Sequence, residues 1–592
     1  MKPVTSEMIS QPLFGAWDYV VLALVLATSS AIGIYYRFTG GKQKTMKEYL
    51  LADQNMSITP VAFSLMASFM SAVTLLGVSS ENYTYGIQFI VINFSYGLFT
   101  PVAAYLYLPV FFKLQATSAY EYLERRFGKV ARLAASLCYT LQMTLYMGIV
   151  LYAPALALEA LTGISQVAAI LSVGLVCTFY SSIGGMKAVL MTDVFQSLLM
   201  FAAVFSIIIF AWIDTGSLSE IWRIAERGNR TSLLNFDPDP TVRHTWLSLV
   251  IGGGVTFLSL YAVNQTQVQR YLTIKDLKGA QKALWWNWPI LTALSLSTSF
   301  SGLAIYSRYH KCDPFNAKYI SSFDQLMPYY VVETMGHIPG LSGLFVAGIF
   351  SASLSTVSAA LNSLAAITIE DYIKPLYLYI RKKPLSSKVA GVQTKLISMV
   401  FGIISIAVAF LAQLLGGVLQ AALTIFGVVG GPLLGLFSLG MFTTIANEEG
   451  SVTGLVCGVA FALWMAFGKK PPAVTLARST EGCEAFSNST VITPSPPIPH
   501  NTSDYLWIHR VSYLYNGVFG LVITLVIGLL FSYIIEKCSN KPKKDYDPNL
   551  FIPPLAKRLR RKMNSTFTLT TLPEIGSSLY NLMYLVLIIP SG

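Results

Sequence analysis

The chain has 592 residues, of which 54% are hydrophobic and only 12% are charged, and its formal net charge is +12. Soluble globular proteins carry about 25% charged residues, so this composition argues against an ordinary soluble enzyme or nucleic-acid-binding protein. It predicts a polytopic protein of the lipid bilayer, in which the positive charge belongs to cytoplasmic loops and requires no nucleic-acid partner.

Thirteen apolar runs have the length of roughly 20 residues that a helix needs to cross about 30 Å of hydrocarbon. We therefore predict an all-α polytopic membrane protein with about thirteen transmembrane helices. The predicted spans are 17–35, 57–80, 87–112, 133–160, 164–183, 189–212, 245–263, 283–306, 340–369, 396–413, 418–444, 452–468 and 511–535.

The basic residues predict the orientation of these spans. When the loops are assigned alternately to the two sides, most of the 41 Lys and Arg residues fall on one side, in loops around 36–48, 111–132, 270–282 and 372–395 and in the tail 537–592. Basic residues accumulate in cytoplasmic loops. The predicted spans themselves contain no Lys or Arg. We predict a multi-pass protein of the plasma membrane with its N-terminus outside and its C-terminus in the cytoplasm.

The loops assigned to the outside carry features of the secretory pathway. Glycosylation sequons begin at Asn229, Asn488 and Asn501. Of the six cysteines, Cys312 and Cys483 are the only two in outside loops, where a disulfide can persist. The sequence does not supply the distance between them, so their pairing stays open.

Motifs for bond-making chemistry are missing from the sequence. The five histidines lie at span ends or in outside loops, and no Cys or carboxylate stands at metal-ligand spacing from them. The run GGGVT (252–256) is not followed by GKS or GKT, so it is not a phosphate-binding loop. We expect no enzymatic activity.

Two spans are expected to be broken. Glycines and polar side chains interrupt the apolar residues in two stretches, FSLMASFMSAVTLLGVSS (63–80) and GGGVTFLSLYAVNQTQ (252–267). Unwound backbone persists within a membrane only where it lines a cavity or a site, and transporters place broken helices at corresponding positions of two repeats. Each stretch opens a group of five spans, which predicts a five-plus-five repeat with the binding site between the broken helices.

The chain then divides into six regions. They are an outside N-terminus with the first helix and a cytoplasmic loop (1–56), repeat 1 (57–212), an extracellular loop (213–243), repeat 2 (244–445), two C-terminal helices with a glycosylated extracellular loop at 469–510 (446–536), and a cytoplasmic tail (537–592).

The segment FSASLSTVSAALNS (350–363) is unusually rich in hydroxyls for a predicted span. On a helix, Ser351, Ser355, Ser358 and Asn362 form one stripe, with Thr356 beside it. Hydroxyls on membrane helices commonly join helices to one another, which is the structural alternative. Oxygen ligands without a carboxylate suit a weakly held monovalent cation, whereas Ca²⁺ or Mg²⁺ sites use acids.

Several stretches carry a resemblance that covers nearly the whole chain up to the tail. They include ASFMSAVTLLG (67–77), TSAYEYLERRFGK (117–129), GGMKAVLMTDVFQ (184–196), YAVNQTQVQRY (261–271) and GLFVAGIFSASLSTVSAALNSLAAITIEDYIKP (343–375). In these residues the sequence resembles the sodium/solute symporter family, closest to its monocarboxylate and multivitamin branch. The resemblance implies a leucine-transporter-like core of five-plus-five inverted repeats, with one extra helix before it and two after it.

The resemblance also implies which residues bind the cargo. Na⁺, the co-transported ion, would be held by the first and eighth core helices, and Asp193 would assist its release to the cytoplasm, unless Asp193 instead pairs with a neighbour such as Lys187. By family position the sodium ligands are Ala67, Met70, Ala352, Ser355 and Thr356. The candidate substrate or gate residues are Thr74, Phe257, Tyr261 and Thr424.

These inferences predict a Na⁺-coupled symporter that imports small organic anions, short monocarboxylates first, by alternating access. Vitamin carboxylates such as biotin and pantothenate are the alternative, followed by iodide-like anions. A solute sensor or an ion leak without coupled uptake is the alternative of a different class. Spans without basic residues are compatible with an anionic substrate, because backbone N–H groups at half-helix N-termini can hold a carboxylate.

Overall fold

The computed structural model describes residues 14–38, 51–115, 118–183, 186–413, 417–483, 504–538 and 546–563. Every regular element within these ranges is helical. Ten helices are long and apolar enough to cross a membrane, and a pair bent by 58° makes an eleventh span if it is counted as one. Two shorter apolar helices also occur in this part of the chain.

We number the helices in chain order. They are α1 (Ala16–Tyr36), α2 (Ile58–Ala67), α3 (Ala72–Tyr85), α4 (Ile87–Leu114), α5 (Glu121–Arg126), α6 (Lys129–Thr162), α7 (Gln166–Phe179), α8 (Met186–Thr215), α9 (Leu218–Arg227), α10 (Ser248–Tyr261), α11 (Gln265–Tyr271), α12 (Leu277–Tyr309), α13 (Leu326–Met335), α14 (Leu341–Arg381), α15 (Val389–Ala412), α16 (Val418–Phe442), α17 (Glu448–Phe467) and α18 (Tyr513–Cys538).

Each predicted span overlaps a helix, but the second break lies elsewhere than the glycines indicate. Gly252 and Gly254 belong to the helical segment α10, and the chain leaves the helix only at 262–264. A Cβ on Gly254 would lie 2.2 Å from the ring of Phe99, and one on Gly252 would lie 2.5 Å from the carbonyl oxygen of Leu514. These glycines therefore allow close packing of helices and do not unwind the backbone.

Helix α14, which carries the hydroxyl-rich segment, lies at the centre of the molecule. Nearly all its residues from Ser342 to Ile367 are buried, and it packs against α1, α6 and α8. At its start, Oδ1 of Asp18 on α1 accepts the N–H of Gly343 at 2.8 Å, which satisfies one of the amides left free at a helix N-terminus. The central position of α14 gives its polar side chains partners on several surrounding helices.

Part of the predicted tail is packed into the fold. Phe551 is fully buried, and its ring and that of Tyr546 lie 5.1 and 4.6 Å from the Arg126 guanidinium. The same guanidinium donates to the carbonyl oxygens of Gly440 and Thr443 at 3.0 and 2.8 Å. The segment that contains Tyr546 and Phe551 therefore packs at the C-terminal end of α16, opposite the disulfide-bearing loops.

The loops predicted to be extracellular are tied together on one face. Cys312 and Cys483 form a disulfide with their Cα atoms 5.1 Å apart. Asn229 is exposed at the end of α9 with a left-handed φ of 58°. The buried Arg230 beside it donates to the carbonyl oxygen of Ala477 at 3.0 Å, close to the disulfide loop. The other two sequons, at Asn488 and Asn501, lie outside the described residues.

We predict that replacing Cys312 and Cys483 together by Ser lowers the thermal unfolding midpoint. The disulfide joins positions 171 residues apart, and losing such a crosslink costs about 2–5 kcal/mol. Unfolding of the detergent-solubilised protein measures the change, with Cys457→Ser, which alters a free half-buried cysteine, as the control. A double variant as stable as Cys457→Ser would contradict the prediction.

Candidate ion and substrate site

The site begins where the first broken helix is interrupted. The chain leaves the helix after Ala67, and α3 starts at Ala72 with the Ser71 hydroxyl accepting the Val73 N–H at 3.2 Å. The Ser68 hydroxyl turns back to the carbonyl oxygen of Ser64 at 2.5 Å. Such local bonds compete with helix continuation. The Ala67 carbonyl is thereby left without a helical partner and must find one on another helix.

That partner is the hydroxyl pair of α14. Ser355 Oγ and Thr356 Oγ1 lie 3.2 and 3.3 Å from the Ala67 carbonyl oxygen, and Thr356 Oγ1 also lies 3.1 Å from the Ala352 carbonyl oxygen. Both hydroxyls are buried. The structure thus brings four of the five predicted sodium ligands together. Met70, the fifth, lies three residues further along the break and lines the neighbouring cavity.

Asp193 on α8 lies directly behind this cluster. Its Oδ1 accepts the Ser355 hydroxyl at 2.6 Å, and its Oδ2 accepts the Ser64 hydroxyl. The guanidinium of Arg270 on α11 lies 3.5 Å from Oδ2 and donates to Ser64 Oγ at 2.8 Å and to the Thr266 carbonyl oxygen at 2.8 Å. Asp193 and Arg270 are both fully buried. They form an ion pair that joins both broken helices to the Ser355–Thr356 hydroxyl pair.

Two expectations from the sequence need correction here. Arg270 was expected in a cytoplasmic loop, because it follows the predicted end of a span, whereas it lies buried in the second half of the broken helix. The partner of Asp193 is Arg270 rather than Lys187, whose ammonium lies 5.8 Å from the Tyr36 ring. The available signal for Arg270 was a single cation that directly follows the uncharged polar stretch NQTQVQ.

A cavity of about 80 Å³ lies beside the break and is mostly apolar. Thr74, Phe257 and Tyr261 line it, as expected. Thr424 is not among its lining residues; α16 contributes Leu423 and Phe426 on either side of that position.

Aromatic rings close the cavity. The Phe257 ring stacks on Tyr261 with centroids 4.7 Å apart, and the Tyr261 hydroxyl donates to the Leu65 carbonyl oxygen at 3.3 Å. The Phe426 ring lies 5.7 Å from Phe69 and 4.5 Å from Tyr146. These contacts connect α2, α6, α10 and α16 around one small space. No sequence pattern singled out Phe69, Tyr146 or Phe426 as lining residues.

A second polar group, which we call the outer ion-pair cluster, lies between the cavity and the outer loops. Arg243 contacts both carboxylate oxygens of Glu81, at 2.7 and 3.0 Å, and donates to Gln420 Oε1 at 3.0 Å. His244 Nε2 lies 3.1 Å from the same carboxylate. Burial lowers the pKa of His244 more than Glu81 raises it. This cluster links the outer ends of α3 and α16 to the loop before α10.

Asp324 attaches the loop before α13 to α16. Its Oδ2 accepts the N–H of Val418, the first residue of α16, at 3.0 Å. The neighbouring Phe323 carbonyl oxygen accepts the Ser80 hydroxyl of α3 at 2.6 Å. Burial raises the pKa of Asp324 to about 6. The carboxyl group is therefore held in an environment that disfavours its charge, although it caps a helix N-terminus.

Comparison with known proteins gives consistent results. The model of the sodium:solute symporter family matches residues 49–458. A Drosophila melanogaster protein provisionally named as a sodium-dependent multivitamin transporter is 55% identical, covering 95% of each chain. Sodium-coupled monocarboxylate transporter 1 of Homo sapiens is 45% identical over 88% of this chain and 87% of its own.

A solved structure shares the fold. A Na⁺-coupled sialic acid symporter, in a substrate-bound outward-open state with a novel Na⁺ site, superposes with a TM-score of 0.71 and 26% identity. The similarity covers 88% of this chain and 98% of that one.

We predict that Arg270→Met lowers the thermal unfolding midpoint more than the double variant Asp193→Asn/Arg270→Met. The single change leaves a buried carboxylate without its cation, which costs about 3–5 kcal/mol, whereas the double change removes both charges. Arg125→Met is the control, because its pair with Glu121 is half exposed and contributes little. A double variant no more stable than the single one would contradict the prediction.

We predict a pH dependence for Asp324. Because its pKa is raised from 3.8 to about 6 in the folded protein, the folded state binds a proton that the unfolded state lacks between these values, and stability falls as the pH rises through that window. Asp324→Asn removes this dependence while keeping an acceptor for the Val418 N–H. The midpoint of the variant should therefore exceed that of the wild type by more at pH 7.5 than at pH 4.5.

The control for this measurement is Asp239→Asn, because hydrogen bonds from Thr241 lower the pKa of the exposed Asp239. This variant should not gain stability at pH 7.5. Equal effects of Asp324→Asn at both pH values would refute a raised pKa.

Proposed function

The chain belongs to the sodium:solute symporter family, and on this basis we propose that it imports small organic anions, short monocarboxylates first, together with Na⁺ across the plasma membrane. It moves its solute without converting it chemically. The observation that carries this proposal is the convergence of the Ser355 and Thr356 hydroxyls on the Ala67 carbonyl at the break in the first core helix.

The chemistry of this cluster fits Na⁺ as cargo. Alkali cations take oxygen ligands, and neutral carbonyl and hydroxyl oxygens can replace part of the hydration shell without binding so strongly that release is prevented. The oxygens come from α2 and α14, so the ion would join two separate elements. An ion that binds one relative position of these helices better than another shifts the equilibrium between conformations.

Asp193 would assist Na⁺ binding by accepting the hydroxyl proton of Ser355. A serine hydroxyl has a single proton, and Ser355 Oγ lies within reach of both Asp193 Oδ1 and the Ala67 carbonyl oxygen. When the proton is donated to Asp193, the lone pairs of Ser355 are available to Na⁺. We propose this positioning role for Asp193, beside its role in release to the cytoplasm.

The cavity supports a short substrate. Its volume of about 80 Å³ is well below the roughly 300–1,000 Å³ of pockets that bind drug-sized ligands, which favours a small solute. Vitamin carboxylates are the second candidate, because the 55% identical Drosophila relative is named for multivitamin transport. Such a substrate would require rearrangement of the rings of Phe69, Phe257 and Phe426.

We propose the inverted-repeat arrangement, the thirteen-span count and the orientation for the same chain. The broken pairs α2/α3 and α10/α11 contact each other through Tyr261 and Gln267, which both donate to the Leu65 carbonyl oxygen, as expected when equivalent helices of two repeats meet at the site. The disulfide and the exposed Asn229 lie on one face, which supports its assignment to the outside.

We predict that Thr356→Ala lowers Na⁺-dependent uptake at least tenfold at low Na⁺ and raises the Na⁺ concentration for half-maximal uptake. A lost ligand worth about 1.4 kcal/mol changes affinity tenfold. Uptake of radiolabelled lactate, nicotinate, biotin and pantothenate is measured in cells, in Na⁺ and in choline. Ser358→Ala is the matched control, since Ser358 is equally buried on the same helix but donates to the Ser355 carbonyl oxygen.

The preferred label distinguishes short monocarboxylates from vitamins. Uptake that is unchanged in Thr356→Ala would refute the sodium site. A surface-expressed protein that takes up none of the labels but conducts ions would favour the sensor or leak alternative.

A further inference from the structure

A large cleft lies above the small cavity and has a chemistry of its own. Its volume is 1330 Å³, and its walls come from the loops before α10 and after α17 and from the outer ends of α3 and α16. Successive residues of the chain line the two spaces, with Gln88 and Gln420 in the cleft and Phe89 and Leu419 in the cavity. The outer ion-pair cluster separates them.

The charges of this cleft have one sign. Arg243, Lys470, Arg478 and Arg510 line it, together with two histidines, and no Asp or Glu is found among the described residues that line it. Arg243 is compensated by Glu81, and Arg478 lies 3.6 Å from Asp313. Both of these acids lie outside the lining of the cleft.

Lys470 and Arg510 differ from the other two cations. Neither forms an ion pair with any residue that the structure describes, although the Arg510 charge also acts on the carboxylate of Asp239, which does not line the cleft. Burial lowers the pKa of Lys470, and the neighbouring Arg243 charge lowers it further. A cleft lined by one sign of charge between low-dielectric walls concentrates counter-ions and raises their association rate by about 10–10³-fold.

We infer that this cleft is an antechamber that collects carboxylate anions and holds them above the inner cavity before they are transported. The inference rests on the proposed function for the identity of the anion and for the outward direction of the cleft. It assigns Lys470 and Arg510 as residues that determine substrate affinity although they do not touch the inner site. The narrow, apolar inner cavity then need not attract the anion itself.

The same field repels Na⁺, which gives the antechamber a distinctive kinetic signature. In Lys470→Gln/Arg510→Gln, the KM for the anion should rise about three- to tenfold, with little change in the maximal rate. The Na⁺ concentration for half-maximal uptake should instead fall. A general structural disturbance would not move the two constants in opposite directions. The matched control is Lys311→Gln/Lys469→Gln, which removes two positive charges of the outer loops that do not line the cleft.

A second measurement detects the positive electrostatic potential of the cleft without depending on transport. Val474 lines the cleft and is 77% exposed, whereas Leu234, in the loop before α10, is not among the lining residues and is 76% exposed. Each is replaced by Cys in turn. On intact cells, the rate of modification by an anionic methanethiosulfonate is divided by the rate for its cationic analogue. A biotin-maleimide then labels the cysteines that have not reacted, so the loss of biotin signal measures the extent of modification. The protein without the added Cys gives the background signal.

The anion-to-cation rate ratio should be about tenfold higher at position 474 than at position 234. It should fall towards the value at 234 in Lys470→Gln/Arg510→Gln and at high ionic strength, where screening acts over about 3 Å. Equal ratios at the two positions would overturn the inference. A high ratio at 474 with an unchanged KM in the double variant would also overturn it, because the cleft would then attract anions without supplying them to transport.

The two proposals fail separately. If none of the labelled anions is taken up by a surface-expressed wild type, the proposed function fails, while the ratio of modification rates still shows whether the cleft favours anions. If uptake is Na⁺-dependent but the ratio is the same at both positions, the symporter proposal stands and the antechamber is rejected.

Discussion

The interruption of the first core helix at 68–71 is the constraint on which the rest of the site depends. Lipid cannot satisfy a backbone carbonyl, so the Ala67 oxygen must be surrounded by protein. This requirement is consistent with the burial of α14 from Ser342 to Ile367 and with its hydroxyls, where other membrane helices carry aliphatic side chains. The same hydroxyls that satisfy the broken backbone are the ones that a cation would use, so stability and ion binding share a small set of atoms.

The buried pair of Asp193 and Arg270 extends this constraint to the second broken helix. Removing two charges from water is costly, and a pair at this depth contributes little net stability compared with apolar packing. The pair matters for where it lies. Ser64 is hydrogen-bonded to both charges, Ser355 to Asp193 and the Thr266 carbonyl to Arg270, so α2, α8, α11 and α14 meet at one polar cluster. A shift of either broken helix must rearrange this cluster, which makes the site sensitive to helix movement.

Sequence periodicity was sufficient to predict the helical class and to locate every predicted span within or beside a helix, because long apolar runs leave the chain few alternatives. The hydroxyl stripe of α14 followed from helical spacing alone. Arg270 could not be predicted, because hydropathy treats an arginine as a loop residue and the compensating Asp193 lies far away in sequence. The break within 252–267 was predicted, but its position at 262–264 was not, because glycine permits both unwinding and close packing, and only the neighbour, Phe99 in the case of Gly254, distinguishes them.

The packing of Phe551 and Tyr546 around Arg126 has a consequence for how the protein is made. Helix α16 is synthesised well before the residues that cover its end. Until residues 546–551 have been made, the Arg126 guanidinium lacks two of its aromatic neighbours and the apolar surface beneath Phe551 is uncovered. Chains that terminate early therefore present an uncovered patch to the chaperones and proteases that inspect newly made membrane proteins.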